Sequence, residues 1–206
     1  RLELPGELTN QSVPELCGLE QSAEATVLET ESEVCVTRFC WGTIDPDLPD
    51  GMSVSRTIGI LLDHELRKGI ESPRWSVALD PLDGIRDLGP QSGEGLDAYA
   101  WASPDAALAV GTEDGDVLWQ RAERQDHMPQ HAGSELGFDA VTYLEDGGMA
   151  TRLPSLRAGD AVRLQFIISW ACEAEEGSLA PWFAVDVPSG ELVDALGLRL
   201  SAGRDD

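Results

Sequence analysis

Apolar and polar side chains alternate most cleanly between Asp160 and Cys172. Val162, Leu164, Phe166, Ile168, Trp170 and Cys172 fall on one parity, and Ala161, Arg163, Gln165, Ile167, Ser169 and Ala171 on the other. Successive side chains of a strand point to opposite faces, so this pattern predicts a β-strand with one face on a core and the other toward solvent. A slip of one residue would turn the whole apolar set outward, and a firm register is expected. Ala25–Thr30, Glu33–Thr43, Trp75–Asp80 and Leu96–Ala102 also read as strands. Met52–Lys68 fits two periods. Ile58, Leu61, Leu62 and Leu66 suit a helix, and Val54, Ile58, Ile60 and Leu62 suit alternation, so a strand to about Leu62 followed by a short helical turn is expected.

Two Asp-Gly pairs predict hairpins. Asp114-Gly115 separates Ala106–Thr112 from Asp116–Ala122, and Asp146-Gly147 separates Phe138–Glu145 from Gly148–Leu153. A two-residue type I′ turn needs positive φ at both central positions, which Asp and Gly tolerate; it would set Val110 opposite Trp119 and Leu144 opposite Met149. Pro181–Val187 and Leu192–Leu200 read as a final strand pair, the second segment being ambiguous between strand and helix. Loops are expected at Asp45–Gly51, Pro81–Gly95, Gln125–Gly137 and Glu173–Ala180, and the second and third are long enough to suggest function or mobility. About ten to twelve short strands with little helix predict an all-β fold, an antiparallel β-sandwich or a closed β-barrel, in a single domain over residues 1–206. Alternation and hairpins serve sandwich and barrel alike, so that choice stays open.

Charge changes the picture more than hydrophobic content does. The 206 residues carry 38 Asp and Glu against 14 Lys and Arg, a net charge of −24. Such a surface repels phosphate backbones and anionic lipid, so nucleic acid and membrane are not expected as partners. No apolar run approaches the roughly 20 residues of a spanning helix. From Leu2 to Thr37 there are eight Glu and no base. This stretch reads either as a solvated face that aids solubility or as a surface for a basic partner protein, with Glu24, Glu29, Glu31 and Glu33 as its candidate contacts. Adaptation to high salt is a further reading. Lys68 and Asn10 are the only lysine and the only asparagine, which suggests a GC-rich bacterial genome. The chain opens on Arg1 without a start methionine, which reads as a trimmed or processed start.

Cys17, Cys35, Cys40 and Cys172 show no metal-type spacing and are expected as free thiols in a reducing cytoplasm. Cys35 and Cys40 lie five apart in an expected strand, hence on opposite faces, and cannot bridge each other.

Chemical motifs are sparse. Asp45, Asp47 and Asp50 before Gly51 resemble a calcium loop only superficially, because the fifth position is Pro49 and the twelfth Arg56. Asp80, Asp83 and Asp87 around Gly84 could gather oxygens around a hard cation but read better as turn builders, and Glu173, Glu175 and Glu176 as a solvated loop. His127 and His131 have the i, i+4 spacing of a helical metal site, but Pro129 between them opposes a helix and no Glu follows His127. His64 stands alone. There is no GxSxG elbow, GxGxxG or GxxxxGK[ST], and no metal or cofactor is implied. Of six tryptophans, Trp170 is expected in the core, and Trp101, Trp119 and Trp182 are candidates for the wall of a ligand cavity.

Three function classes follow. The leading one is a non-catalytic binding protein, immunity- or inhibitor-like, whose acidic surface captures a basic partner. The second is a small-molecule or carbohydrate binder with a Trp-lined β cavity. The third is a small β-barrel enzyme using His64, His127, His131 or a carboxylate as acid and base.

Overall fold

The computed structural model describes residues 2–3, 25–78, 85–137, 139–144, 148–172 and 178–198. Among these residues the strands are β1 (Leu2–Glu3), β2 (Thr26–Glu31), β3 (Cys35–Ile44), β4 (Arg56–Leu66), β5 (Arg74–Ala78) and β6 (Arg86–Gly93). They continue as β7 (Leu96–Ser103), β8 (Ala106–Glu113), β9 (Val141–Tyr143), β10 (Gly148–Arg152) and β11 (Ala161–Cys172). Four short helices complete the set: α1 (Gly115–Arg124), α2 (Gln130–Gly133), α3 (Ala180–Ala184) and α4 (Ser189–Ala195). Seven strands form one sheet, ordered β2-β3-β4-β11-β8-β7-β6, and four form a second, ordered β1-β5-β10-β9. Every ladder is antiparallel. The large sheet ends at β2 and β6, which do not pair with each other among the described residues, and the two sheets share one core, an all-β, antiparallel architecture.

The centre of the large sheet is β11, and its predicted alternation is present. Val162, Leu164, Phe166 and Ile168 enter a core shared with Phe39, Trp41, Ile60 and Leu62 of the same sheet and Trp75, Val77 and Met149 of the other. Leu118 and Ala122 of α1 and Met128 and Ala132 close that core at one side. Each fully buried side chain of this size contributes about 1.5–3 kcal/mol.

The opposite face of β11 departs from expectation. Arg163, Gln165, Ile167, Ser169 and Ala171 are buried rather than solvated. A third layer covers Ile167 and Gln165: Val185, Leu192, Val193 and Leu196 from the α3–α4 region pack with Ile167, Leu61, Ala98 and Ala109, and the Val187 carbonyl accepts from Gln165 Nε2. Gly59 of β4 and Gly111 of β8 flank Ile167 in register. A Cβ on Gly59 would lie 2.3 Å from Leu192, and one on Gly111 2.8 Å from Val185. The two glycines therefore open the slot into which the helical layer settles. Cys35 and Cys40 do fall on opposite faces, one in each core, and both are free thiols, as is Cys172.

Several elements correct the sequence expectations. Asp114-Gly115 is not a hairpin turn. Asp114 is the N-cap of α1, its carboxylate accepting the Val117 N–H at 2.9 Å. Asp before a helix satisfies an orphan amide, and buried Leu118 and Ala122 four apart supply the helical period that alternation missed. Val110 thus pairs with Ile168 and Tyr99, not with Trp119. In the second hairpin Met149 stands opposite Tyr143, one residue from the expected Leu144, which instead donates its N–H to Gly148. The Asp146-Gly147 tip lies outside the described residues. Pro181–Val187 and the described part of Leu192–Leu200, up to Leu198, are not strands. Pro181 sits in the first turn of α3, and buried Leu192 and Val193 with Leu196 follow a helical period in and just after α4. β4 runs on through Leu66 without the expected helical turn. The expected loops 81–95 and 125–137 contain β6 and α2. β6 has little apolar patterning; it exists because it pairs with β7, and as an edge strand it tolerates Pro90.

Candidate binding surface

Two tyrosine–carboxylate pairs meet where β6, β7 and β9 come together. Tyr99 on β7 donates its hydroxyl to Asp87 of β6 at 2.6 Å, and Tyr143 on β9 donates to Asp97 of β7 at 2.7 Å. Asp97, Tyr99 and Trp101 share one face of β7 by their spacing of two. Tyr99 lies 4.7 Å from the Trp101 ring and 6.0 Å from the Tyr143 ring, centroid to centroid. Trp101 and Tyr99 are buried, Tyr143 and Asp97 half-buried, and Asp87 exposed, so the cluster grades from an aromatic floor to a carboxylate rim.

The electrostatics follow from that gradient. The hydrogen bond to Asp87, with burial and the adjacent negative charge, pushes the Tyr99 hydroxyl up to about 12. Burial, then the bond to Asp97, raises that of Tyr143 as well. Both remain protonated donors near neutrality. Burial raises the Asp97 carboxyl, and the Asp114 charge adds to that, although the Tyr143 hydroxyl opposes it. One oxygen of Asp87 also accepts the Gly89 N–H at 2.7 Å, which fixes its direction. Hydrogen-bonded carboxylates at the rim of a buried aromatic floor suit a cationic group, drawn by charge.

The glutamates expected to meet a partner sit elsewhere, and their charges are met within the chain. Glu29 pairs with Arg38 at 3.1 Å, Glu31 with Arg67, and Glu33 with Lys68 at 3.1 Å. Glu24 lies outside the described residues. Glu29 also ends a row of alternating charge across four strands. Glu29 stands opposite Arg38, Arg38 opposite Asp63, and Asp63 opposite Arg163. Arg163 grips Asp63 through two bonds of 2.6 and 3.1 Å. Cross-strand pairs of this kind stabilise the sheet itself.

The three candidate tryptophans are not brought together. Trp101 lies in the inter-sheet core beneath the tyrosines. Trp119 projects from α1 and is 45% exposed. Trp182 is on α3 at the other face of the large sheet, against Gly93. No single cavity can be walled by all three. One cleft, about 220 Å³, is lined by Ser72, Glu135, Asp139, Arg152 and neighbouring backbone, without any tryptophan.

The histidines are likewise apart. His64 is buried, bonded through Nδ1 to Thr37 at 2.9 Å, and burial holds it down to about 4. His127, half-buried with φ 46°, is lowered by burial and then by Arg163. His131 is held by Asp160 at 2.9 Å. Among the described residues no group of three or more His, Cys, Asp or Glu could hold a metal ion. Nor is any helix among them long and apolar enough to cross a membrane. Against known proteins, the chain matches no family model, no curated protein and no solved structure.

Sequence reasoning missed Tyr99, Tyr143 and Asp97, and took Asp87 for a turn builder. Tyr99 and Tyr143 left one signal: they are the chain's only two tyrosines, and both lie in expected strand segments.

Proposed function

We propose that this protein is a non-catalytic binding protein that captures a basic partner, and that its anchor is the tyrosine–carboxylate end rather than the β2 glutamates. The observation that supports this reading is the side-by-side placing of the Tyr99–Asp87 and Tyr143–Asp97 pairs, in a chain of net charge −24. Tyrosine is enriched among the residues that dominate protein interfaces, and half-buried Tyr143 stands at the rim of this cluster. A long-range negative field speeds the approach of a cationic partner. The anchor then takes a lysine or arginine side chain.

An oligo-arginine peptide tests the reading, its binding followed by fluorescence anisotropy at low and physiological ionic strength. The comparison is between Asp87→Asn/Asp97→Asn and Glu29→Gln/Glu31→Gln/Glu33→Gln. The double variant should lose about tenfold in affinity, equivalent to about 1.4 kcal/mol, and the triple variant less than about twofold. Diffuse attraction to net charge predicts the reverse order, because the triple variant removes more charge. That reverse order, or equal losses, would overturn the assignment.

A second reading draws on the cleft of about 220 Å³, whose Glu135, Asp139 and Arg152 carry both signs of charge. Its dimensions and lining suit a small polar molecule and not a stacked sugar.

A further inference from the structure

Three polar atoms are buried between the two sheets without a hydrogen-bond partner among the described residues: His64 Nε2, Trp75 Nε1 and Thr151 Oγ1. The residues are 3%, 1% and 0% exposed. Their positions are related. Trp75 of β5 stands opposite Thr151 of β10, so both side chains leave the small sheet on the same face. Trp75 and Met149, which lies two residues from Thr151 and so on the same face, belong to the inter-sheet core. His64 projects from β4 of the large sheet, and its ring lies 5.3 Å from that of Trp75. The far side of the imidazole is already engaged, Nδ1 with Thr37 Oγ1 at 2.9 Å, and Thr37 Oγ1 in turn with Cys35 Sγ at 3.3 Å.

Hydrogen-bonding capacity narrows what can complete this set. An indole N–H only donates, a threonine hydroxyl does both, and neutral imidazole Nε2 does one or the other according to tautomer. Leaving three such groups unmade in an apolar layer is costly. A small group that both accepts and donates matches the hydrogen-bonding capacity of all three. We propose that His64, Trp75 and Thr151 form a binding site for one internal water molecule that bridges the two sheets. It accepts from Trp75 Nε1–H, and its remaining capacity is shared between Thr151 Oγ1 and His64 Nε2. Interior waters commonly make about three hydrogen bonds to groups of this type.

A crystal structure of the intact protein at high resolution, with NMR of the indole N–H, tests this. The expected result is a density peak at hydrogen-bond distance from at least two of the three atoms, together with a cross-relaxation peak between Trp75 Nε1–H and a long-lived water. Thr151→Val, nearly isosteric, should weaken the peak and shift the Trp75 indole resonance. A direct bond from Trp75 Nε1 to a protein acceptor, or a dry site with an unshifted indole in Thr151→Val, would overturn the proposal. The wild-type measurements decide the matter even if the variant folds poorly.

Discussion

On its inner face the large sheet carries a mainly apolar field, broken at Thr37 and His64, in which Trp41, Ile60 and Phe166 stand opposite one another on β3, β4 and β11. Its other face changes character along the same strands. It is apolar around Ile167, where the helical layer sits, and charged at the row from Glu29 to Arg163. The inner face gains from area removed from water. The other face combines a close fit at two glycines with pairing of charges. Burial therefore does not require apolar composition where polar groups find partners, as Arg163 does in Asp63 and Gln165 Nε2 in the Val187 carbonyl.

The largest expected effect lies on the inner face. Phe166→Ala, at a site with no exposure, should cost about 3–5 kcal/mol in urea unfolding. A loss below that range would show that the inner field can collapse around a cavity, removing its contrast with the opposite face.

Acid should act next, through the polar spot in the same layer. Burial holds His64 near 4 instead of the usual 6.5, so the unfolded chain takes up this proton first. Stability is then whole above about 6.5 and falls as pH drops toward 4, by about 3 kcal/mol from this residue. Urea midpoints across that window should fall more steeply in wild type than in His64→Gln. Parallel profiles would exclude His64 as the source. The raised carboxyl of Asp97 works in the opposite direction, since its protonation relieves an unfavourable buried charge.

On the helix-covered face, Gly111→Ala should cost about 1–3 kcal/mol, because the new methyl meets Val185 Cβ, which cannot move without its backbone. A neutral result would mean that α3 and its following turn shift freely, and that the fit there is loose. At the solvent end of the charge row, Glu29→Gln should change stability by less than about 1 kcal/mol, since both partners are more than half exposed. A larger loss would make the row a cooperative network rather than a set of pairs.

Much of this fold was legible because alternation reports a face packed on apolar neighbours. β11 declared itself in that way; β8 was reached through a turn signal that belongs to a helix cap, and β2, exposed along most of its length, has no such buried face. The opposite face of β11 did not, since Arg163, Gln165 and Ser169 look solvated in sequence. Their partners, Asp63, the Val187 carbonyl and Thr57, are distant in the chain. Asp114 misled for a different reason: the residue that tolerates a tight turn is also a strong helix cap, and only the spacing of Leu118 and Ala122 separates the two. The candidate site was barely legible. Charge counting drew attention to Glu29, Glu31 and Glu33, but a count cannot see that each meets its own base. Asp87 and Asp97 gain interest only from pairing with Tyr99 and Tyr143 across strands.

The slot at Gly59 and Gly111 bears on the order of assembly. Its walls come from three segments far apart in the chain, Arg56–Leu66, Ala106–Glu113 and Ala161–Cys172, and it exists only when they lie side by side. Until then the C-terminal helices have nothing to grip, and segments of five and seven residues are too short to persist alone. The segment from Ala180 to Leu196 thus fastens onto a face that three distant strands build together.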